Sequence, residues 1–334
     1  MKPAPARAGH ILYLDGWRGL AVLAVLVGHY IGTKGVYAGR FGVELFFVLS
    51  GRLMAEILFV RQTPLPSFFR RRISRVYPAL FVFVTVLMIY LSIRDHAPLM
   101  AHYFSALTFT LNYSQFWIGR LGELDHIWSL CVEEHMYLLL GVIAFFRRKA
   151  EFNIAVLCTV LAVAASLNGM FQTLHGHDYY DVYWRTDVHG ASILIGVAVY
   201  LFWHEKVPAA LSSPWAPVFF GIGGLLLNAN PLPDYLKYSV GTAFLATSLV
   251  LMHRAPRRLL SILEHPFLLR FGIWSYSIYL YQQPFYKAAH DSPHRLLLLP
   301  LAIGLAWLSY RFIEQPARNY LNRVWHTGKS KVIE

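Results

Sequence analysis

The chain has 334 residues, of which 56% are hydrophobic and only 14% are charged. A soluble domain carries about a quarter charged residues, so this composition excludes a soluble globular protein. The net charge of +12 would suggest a nucleic-acid partner in a soluble chain, but here the basic residues lie in short loops between apolar blocks, which indicates membrane topology and no nucleic acid.

Eleven apolar blocks follow one another, each about long enough to cross a hydrocarbon core ~30 Å thick. They lie near residues 12–31, 41–60, 77–93, 101–118, 127–146, 153–171, 188–203, 215–229, 238–252, 267–288 and 296–313. Asp15 and Arg18 interrupt the first block and no A-x-A-like cleavage site follows it. We therefore expect a retained first span rather than a signal peptide.

The block at 101–118 is the most polar, with His102, Asn112, Ser114 and Gln115, so we interpret it as a re-entrant or interfacial segment. Ten spans then remain. With both termini cytoplasmic, 18 of the 30 Lys and Arg residues lie inside, 8 lie outside and 4 lie within spans or at their ends, as the positive-inside rule favours. The sequence predicts an all-α polytopic membrane protein of about ten transmembrane helices.

This protein is expected to be a single membrane-embedded domain, residues 1–334, with short cytoplasmic tails at 1–11 and 314–334. No metal-ligand spacing is present, and its two cysteines, Cys131 and Cys158, form no disulfide framework.

The first span carries Arg18 and His29, and an ionisable group at the bilayer centre costs about 2.5–3.5 kcal/mol, so each is a candidate functional residue. Eleven residues separate them, which places both on one helix face about 16 Å apart along the axis. Asp15 lies three residues before Arg18 and could orient it. An interfacial histidine and a snorkelling arginine are the alternative interpretation.

The second span contributes Glu44, Ser50 and the i,i+4 residues Arg52 and Glu56, which we expect to form a structural ion pair. The sequence FFRRRISRVYP (68–78) then precedes the third span. Its arginines Arg71, Arg72 and Arg75 are either a positive-inside anchor or a phosphate-binding group, because guanidinium forks match phosphate oxygens.

The span that begins near 127 contains Glu133 and Tyr137, whose i,i+4 spacing places them at one cavity, while Glu134 is expected to point elsewhere. In the ten-span topology Glu133 lies near the membrane level of His29. The aromatic, polar loop HGHDYYDVYWRTD (175–187) could hold a sugar or form an interfacial aromatic belt.

These segments together resemble the acyltransferase family 3 membrane proteins, which acylate hydroxyls of glycans, antibiotics and lipids with cytoplasmic acyl-CoA. The resemblance rests on six motifs in the family's order, from residue 13 to residue 316. They are Arg18 with His29, VELFFVLSG (43–51), RRISRVYP (71–78), WSLCVEEHMY (128–137), SYSIYLYQQP (275–284) and SYRFIEQP (309–316). Four positions depart from the usual pattern: Glu44, Arg52, His135 and Gln282, and the last carries no predicted role.

The resemblance implies that Arg71, Arg72 and Arg75 hold the phosphates of acyl-CoA, a co-substrate rather than a bound cofactor. The acyl chain, expected to be acetyl, would pass Arg18 towards His29. His29 would act as general base on a hydroxyl of a glycan or lipid-linked sugar, with Glu133 orienting it or balancing its charge. Direct transfer and an acyl-His29 intermediate both stay open.

Asp15, Ser50, Glu134 and Tyr137 are expected to support this site, in a protein of a bacterial-type inner membrane. Two alternatives stay open. One is a proton-coupled secondary transporter, since buried Arg, His and Glu also build proton relays. The other is an acyltransferase that acts on a small molecule such as an antibiotic.

Overall fold

The computed structural model describes residues 11–94, 100–147, 151–288 and 294–327, and these ranges are helical without a β-strand. Val36 and Ala229 form an isolated antiparallel bridge. Several basic residues on which the topology prediction relied lie outside the described residues, namely Lys2, Arg7, Arg148, Lys149, Lys329 and Lys331.

The α-helices of the described ranges are numbered in chain order. They are α1 (Leu12–Leu26), α2 (Ala38–Met54), α3 (Leu65–Ile93), α4 (Met100–Leu107), α5 (Leu111–Ile118), α6 (Ile127–Arg147), α7 (Ile154–Leu174), α8 (Tyr179–Tyr183), α9 (Thr186–Trp203), α10 (Ala216–Leu227), α11 (Asp234–Leu236), α12 (Thr242–Leu251), α13 (Arg257–Leu263), α14 (Pro266–Ala288), α15 (Arg295–Ser309) and α16 (Gln315–Thr327). Wider π turns extend α1 through Val27–Ile31 and α2 through Ala55–Val60. Two more join α11 to α12 and α15 to α16, at Lys237–Gly241 and Tyr310–Glu314.

Within the described ranges, six helical stretches are long and apolar enough to cross a membrane. They are Leu65–Ile93, Ile127–Arg147, Ile154–Leu174, Thr186–Trp203, Asp234–Arg254 and Arg295–Trp325. Large side chains such as Phe219, Leu297 and Val160 are exposed on the outside of the bundle, as expected for a surface in contact with lipid. The chain is therefore a multi-pass membrane protein. The count of ten spans and the cytoplasmic termini stay predictions.

The polar block at 101–118 does not form a continuous span. It folds as α4 and α5, two helices of eight residues that each extend about 12 Å. The chain breaks between them at Phe109, whose backbone φ is 56°. This arrangement agrees with the predicted re-entrant or interfacial segment.

Within the predicted tail at 314–334, the described residues are helical as far as Thr327. The polar face of α16 packs against α3, where the hydroxyl of Ser74 donates a hydrogen bond to Asn322 Oδ1 at 3.2 Å. A search for apolar blocks finds the membrane part of a helix and misses a polar extension of it.

The helices α1 and α14 approach each other very closely, which fixes the predicted site residues of α1 relative to α14. A Cβ on Gly19 would lie 2.1 Å from the carbonyl oxygen of Leu268, and a Cβ on Gly272 would lie 1.9 Å from that of Asp15. Small residues permit such helix contacts in a membrane, where dispersion and close packing hold helices together. Arg18 and His29 of α1 and its π turn are thereby fixed against the motif residues of α14.

Candidate active site

The first cavity of interest, here called the basic cavity, lies between α1, α2, α3, α6 and α14. Its charged and hydroxyl-bearing lining residues are Arg18, Ser50, Arg72, Arg75, Glu133, Glu134, Tyr137, Ser129, Ser275, Tyr276 and Tyr279. Every predicted site residue except His29, Asp15 and Arg71 lies on this wall. Asp15 stands directly behind it, because its Oδ1 accepts a hydrogen bond from Arg18 at 2.7 Å, as the i,i+3 spacing predicts.

Glu133 is the centre of a polar network in the basic cavity. Its Oε1 accepts hydrogen bonds from the hydroxyls of Ser50 and Tyr137. The guanidinium of Arg72 lies 3.8 Å from the same oxygen and stacks over the Tyr137 ring, with its Cζ 3.5 Å from the ring centre. The second-span motif, the basic motif and the α6 motif therefore meet at this carboxylate.

Glu134 lies at the same cavity, so the expectation that it points elsewhere was wrong. Its Oε1 is 3.9 Å from Arg72 Nη2, and the two glutamates flank one guanidinium. Adjacent helical residues differ by about 100° in direction, but an arginine side chain is long enough to reach between two such carboxylates. Burial of Arg72 is thus balanced by two acidic neighbours.

A second basic site opens beside the basic cavity and is here called the arginine pocket. Its charged lining consists of Arg71, Arg75, Arg318 and Arg323, from α3 and α16. Arg75 lines both the arginine pocket and the basic cavity, and the charges of Arg18 and Arg72 act on it. Arg318 and Arg323 were interpreted from the sequence only as topology charges, because their helix lies far from the basic motif along the chain.

The second cavity, here called the aromatic cavity, contains His29. Its wall includes the α8 residues Tyr179, Tyr180 and Tyr183, so the loop at 175–187 lies at this cavity. The His29 ring stacks on Tyr286 at 4.5 Å between ring centres, with an interplanar angle of 11°. His29 lies in the π turn at the end of α1, and such turns often occur at functional sites.

Gln282 is the hydrogen-bond partner of His29 and was not assigned a role from the sequence. Its Oε1 lies 2.7 Å from His29 Nδ1, while its Nε2 donates to the carbonyl of Tyr279. This orientation makes Nδ1 the protonated nitrogen, so Nε2 of the neutral ring carries the lone pair. Tyr30 donates to the Gln282 carbonyl at 2.8 Å and holds the same turn in place.

The basic and aromatic cavities adjoin at Val43 and Tyr279, which line both. The Tyr279 hydroxyl bonds Ser129 Oγ at 2.6 Å and donates to the His126 carbonyl at 3.1 Å. Its ring packs edge-on against Phe46. Shared wall residues therefore make the three spaces neighbours: Arg75 lines the arginine pocket and the basic cavity, and Tyr279 lines the basic cavity and the aromatic cavity.

The expectation that Glu133 shares the level of His29 is not met, because Glu133 lines the basic cavity and His29 the aromatic cavity. Two residues at the start of α6 do line the aromatic cavity: His126, which directly precedes the helix, and Trp128 in its first turn. Glu133 is six residues beyond Ile127, about 9 Å further along α6, which moves it to the next cavity.

Two further charged groups are structural. Arg52 pairs with Glu56 at 3.2 Å, which confirms the predicted ion pair. Glu44 is fully buried and accepts hydrogen bonds from Ser192 at 2.8 Å and Thr242 at 2.7 Å, and His189 Nε2 lies 2.5 Å from its other oxygen. Buried carboxylates need such partners.

Within the described ranges no group of three or more His, Cys, Asp or Glu side chains could hold a metal ion. The arrangement offers an imidazole at an aromatic cavity, beside a second cavity whose wall carries clustered guanidiniums. The roles of the individual residues stay predictions.

Comparison with known proteins finds three informative relatives. The chain is 27% identical over 347 residues to the putative peptidoglycan O-acetyltransferase YrhL of Bacillus subtilis, which covers 91% of this chain and 54% of that protein. It is 27% identical over 352 residues to the peptidoglycan O-acetyltransferase OatA of Listeria monocytogenes, covering 91% and 55%. It is 25% identical over 345 residues to the O-acetyltransferase OatA of Staphylococcus aureus, covering 91% and 57%.

The chain thus spans about half the length of the curated relatives it matches. No solved structure matches it. A family model described as an acyltransferase domain matches residues 11–311, from the start of α1 to the π turn that follows α15. On this match, which includes all six motifs except the end of the last, the chain belongs to acyltransferase family 3.

Proposed function

We propose that the chain is an O-acyltransferase that transfers an acetyl group from cytoplasmic acetyl-CoA to a hydroxyl of a cell-envelope glycan. The relatives named as peptidoglycan O-acetyltransferases support the reaction and the class of acceptor. The observation that carries the proposal is that Tyr279 lines both the basic cavity and the cavity that contains His29, while Arg75 lines both the basic cavity and the arginine pocket.

In this proposal the arginine pocket binds the phosphates of the donor, because guanidinium groups pair with phosphate oxygens. Arg75 and Arg18 then line the route of the pantetheine arm through the basic cavity. Glu133 and Glu134 hold Arg72 in position along this route. The thioester reaches His29 past Tyr279.

His29 acts as the general base in the aromatic cavity. Its Nε2 removes the proton of the acceptor hydroxyl while that oxygen attacks the thioester carbonyl carbon. The carbon–sulfur bond then breaks, and the CoA thiolate leaves and takes the proton back from the imidazolium. Gln282 keeps the proton on Nδ1, so that Nε2 is the nitrogen that takes up the proton of the acceptor.

The test uses the full chain in lipid nanodiscs with acetyl-CoA, and free CoA is measured with and without an N-acetylglucosamine oligomer. We expect acceptor-dependent CoA release together with acetylated oligomer detected by mass spectrometry. His29→Gln should abolish both, while the exposed Lys34→Gln, which lines none of the three spaces, should leave both unchanged. Turnover that survives in His29→Gln would remove the base assignment. Absence of acetyl transfer with a folded wild-type chain would refute the proposed activity.

A further inference from the structure

The aromatic cavity carries more positive charge than its acidic residues balance. Among its lining side chains, Arg40, Arg120 and Lys287 are cationic, and Asp125 is the carboxylate. Proton transfer at His29 needs none of these charges. They lie at the mouth of the cavity, where about a third of each cationic side chain is exposed.

Arg120 and Lys287 share one carboxylate oxygen. Arg120 Nη2 lies 2.7 Å and Lys287 Nζ lies 3.3 Å from the same Oδ2 of Asp125. For Arg120, burial lowers the pKa, but the hydrogen bond and charge of Asp125 outweigh it and raise the pKa. Two cationic side chains thus face one carboxylate, so the formal charges of this group of three sum to one surplus positive charge.

Arg40 is a further cation in the wall of the same cavity. Its guanidinium lies 4.1 Å above the centre of the Tyr179 ring. Its carboxylate neighbour, Asp234, is 3.6 Å away and also bonds Lys237 at 2.9 Å. Again two cations share one acid, so the mouth of the cavity carries a second surplus charge.

At the same cavity, the side-chain oxygen of Gln283 is buried and lacks a hydrogen-bond donor among the described residues. Gln283 is 4% exposed, and its Nε2 donates to the Gly122 carbonyl at 3.0 Å, which fixes the orientation of the amide. The Oε1 on the other side has no hydrogen-bond partner among the described residues. Lys287 packs against Gly122, so this oxygen and the surplus charge belong to one region. Buried polar atoms are normally bonded, so this oxygen marks a place beside the cationic group where a polar partner is missing.

The aromatic residues in the wall of this cavity favour a sugar as its ligand over a free anion. Trp184 and Tyr180 lie beneath the Arg120 guanidinium, at 4.6 and 3.8 Å from its Cζ to the ring centres. The faces of such rings pack against the apolar faces of sugar rings, and the hydroxyls are left for polar partners. Arg120, held between ring and carboxylate, then presents its remaining N–H groups to the ligand.

We infer that the acceptor is an anionic sugar, whose carboxylate or phosphate group binds between Arg120 and Lys287. The hydroxyl to be acetylated lies at His29. This inference rests on the proposed function and adds the acceptor's charge to it. Arg120 and Lys287 would select the acceptor and take no part in the proton transfer.

The experiment compares four acceptors of equal length with the full chain in nanodiscs and acetyl-CoA. They are a neutral N-acetylglucosamine tetramer, the same tetramer with lactyl carboxylates, its uncharged lactyl amide, and a tetramer with a phosphomonoester. We expect the KM for the anionic acceptors to be about tenfold below that for the lactyl amide, because one charge-assisted hydrogen bond raises affinity by about this factor. The ratio of carboxylate to phosphate affinity identifies the anion.

Lys287→Gln and Arg120→Gln should remove this preference and leave the KM for acetyl-CoA unchanged. Lys287→Arg should preserve it, and Lys34→Gln is the matched control for loss of a cation in a nearby loop. Equal KM values for the carboxylate and the amide in the wild type would overturn the inference while the proposed function stands. An equal loss of preference in Lys34→Gln would also overturn it, since general surface charge would then be the cause. No transfer to any of the acceptors would refute the proposed function itself.

Discussion

The basic cavity and the aromatic cavity share Tyr279 but differ in the groups that surround their central polar residue. In the basic cavity, Glu133 accepts bonds from two hydroxyls and lies beside Arg72, so its charges are arranged as a fixed network. In the aromatic cavity, His29 is held by a neutral amide and a stacked ring. The charges that would hold a phosphate-rich donor are thus separated from the base.

This separation has a chemical consequence for His29. A carboxylate partner would stabilise the imidazolium strongly, whereas the Gln282 amide stabilises it less and mainly fixes the tautomer. A thioester is an activated acyl donor, so a base of ordinary strength suffices for attack by a hydroxyl. We therefore expect substitutions at the two cavities to affect different kinetic constants.

The largest effect is expected at His29. His29→Ala should lower kcat by about 10²- to 10⁴-fold, because general base catalysis contributes that much. Binding of acetyl-CoA, measured by calorimetry on the same nanodiscs, should stay within about twofold of the wild type. A variant that also lost donor binding would break the assignment of separate cavities.

A loss of donor affinity is expected from the arginine pocket. Arg71→Ala combined with Arg75→Ala should raise the KM for acetyl-CoA by about 10- to 100-fold, because two charge-assisted contacts are removed. The acceptor KM should change far less. Arg258→Ala, an exposed arginine of α13 that lines none of the three spaces, is the control. Equal effects on both substrates would mean that the basic segment is only a membrane anchor.

The smallest of the three effects is expected at Gln282. Gln282→Leu should lower kcat by about 3- to 10-fold, the value of one hydrogen bond, since the Nδ1 proton is no longer held. Gln282→His, which can accept the same hydrogen bond, should recover most of this activity. If the Leu and His variants were equally impaired, Gln282 would act through packing and not through the tautomer of His29.

The sequence indicated several residues of the basic cavity, because ionisable side chains such as Arg18 and Glu133 are costly in an apolar helix unless they face a polar space. The position of a residue along its helix, relative to residues of other helices, was harder to predict. Glu133 was placed beside His29 because both lie near the same end of their helices, but six residues along α6 are enough to reach another cavity.

Other features depend on contacts that spacing does not report. Gln282 meets His29 across more than 250 residues, and a departure from the family's usual residue concealed its contact. Arg318 joins the arginine pocket only because α16 folds back against α3. The aromatic loop was recognised, yet whether it lined a site or the membrane interface needed the packing of α8 against the bundle.

The central proposal is that the acetyl group comes from a donor held at the arginine pocket and reaches His29 past Tyr279, while the acceptor binds in the aromatic cavity. The most direct measurement is a structure of the full chain in nanodiscs with a non-hydrolysable thioether analogue of acetyl-CoA. The account predicts phosphates within hydrogen-bond distance of Arg71, Arg75 and Arg318, and the acetyl carbonyl beyond Tyr279, about 4 Å or less from His29. An acetyl group held beside Glu133 in the basic cavity, or phosphates bound in the aromatic cavity, would contradict it.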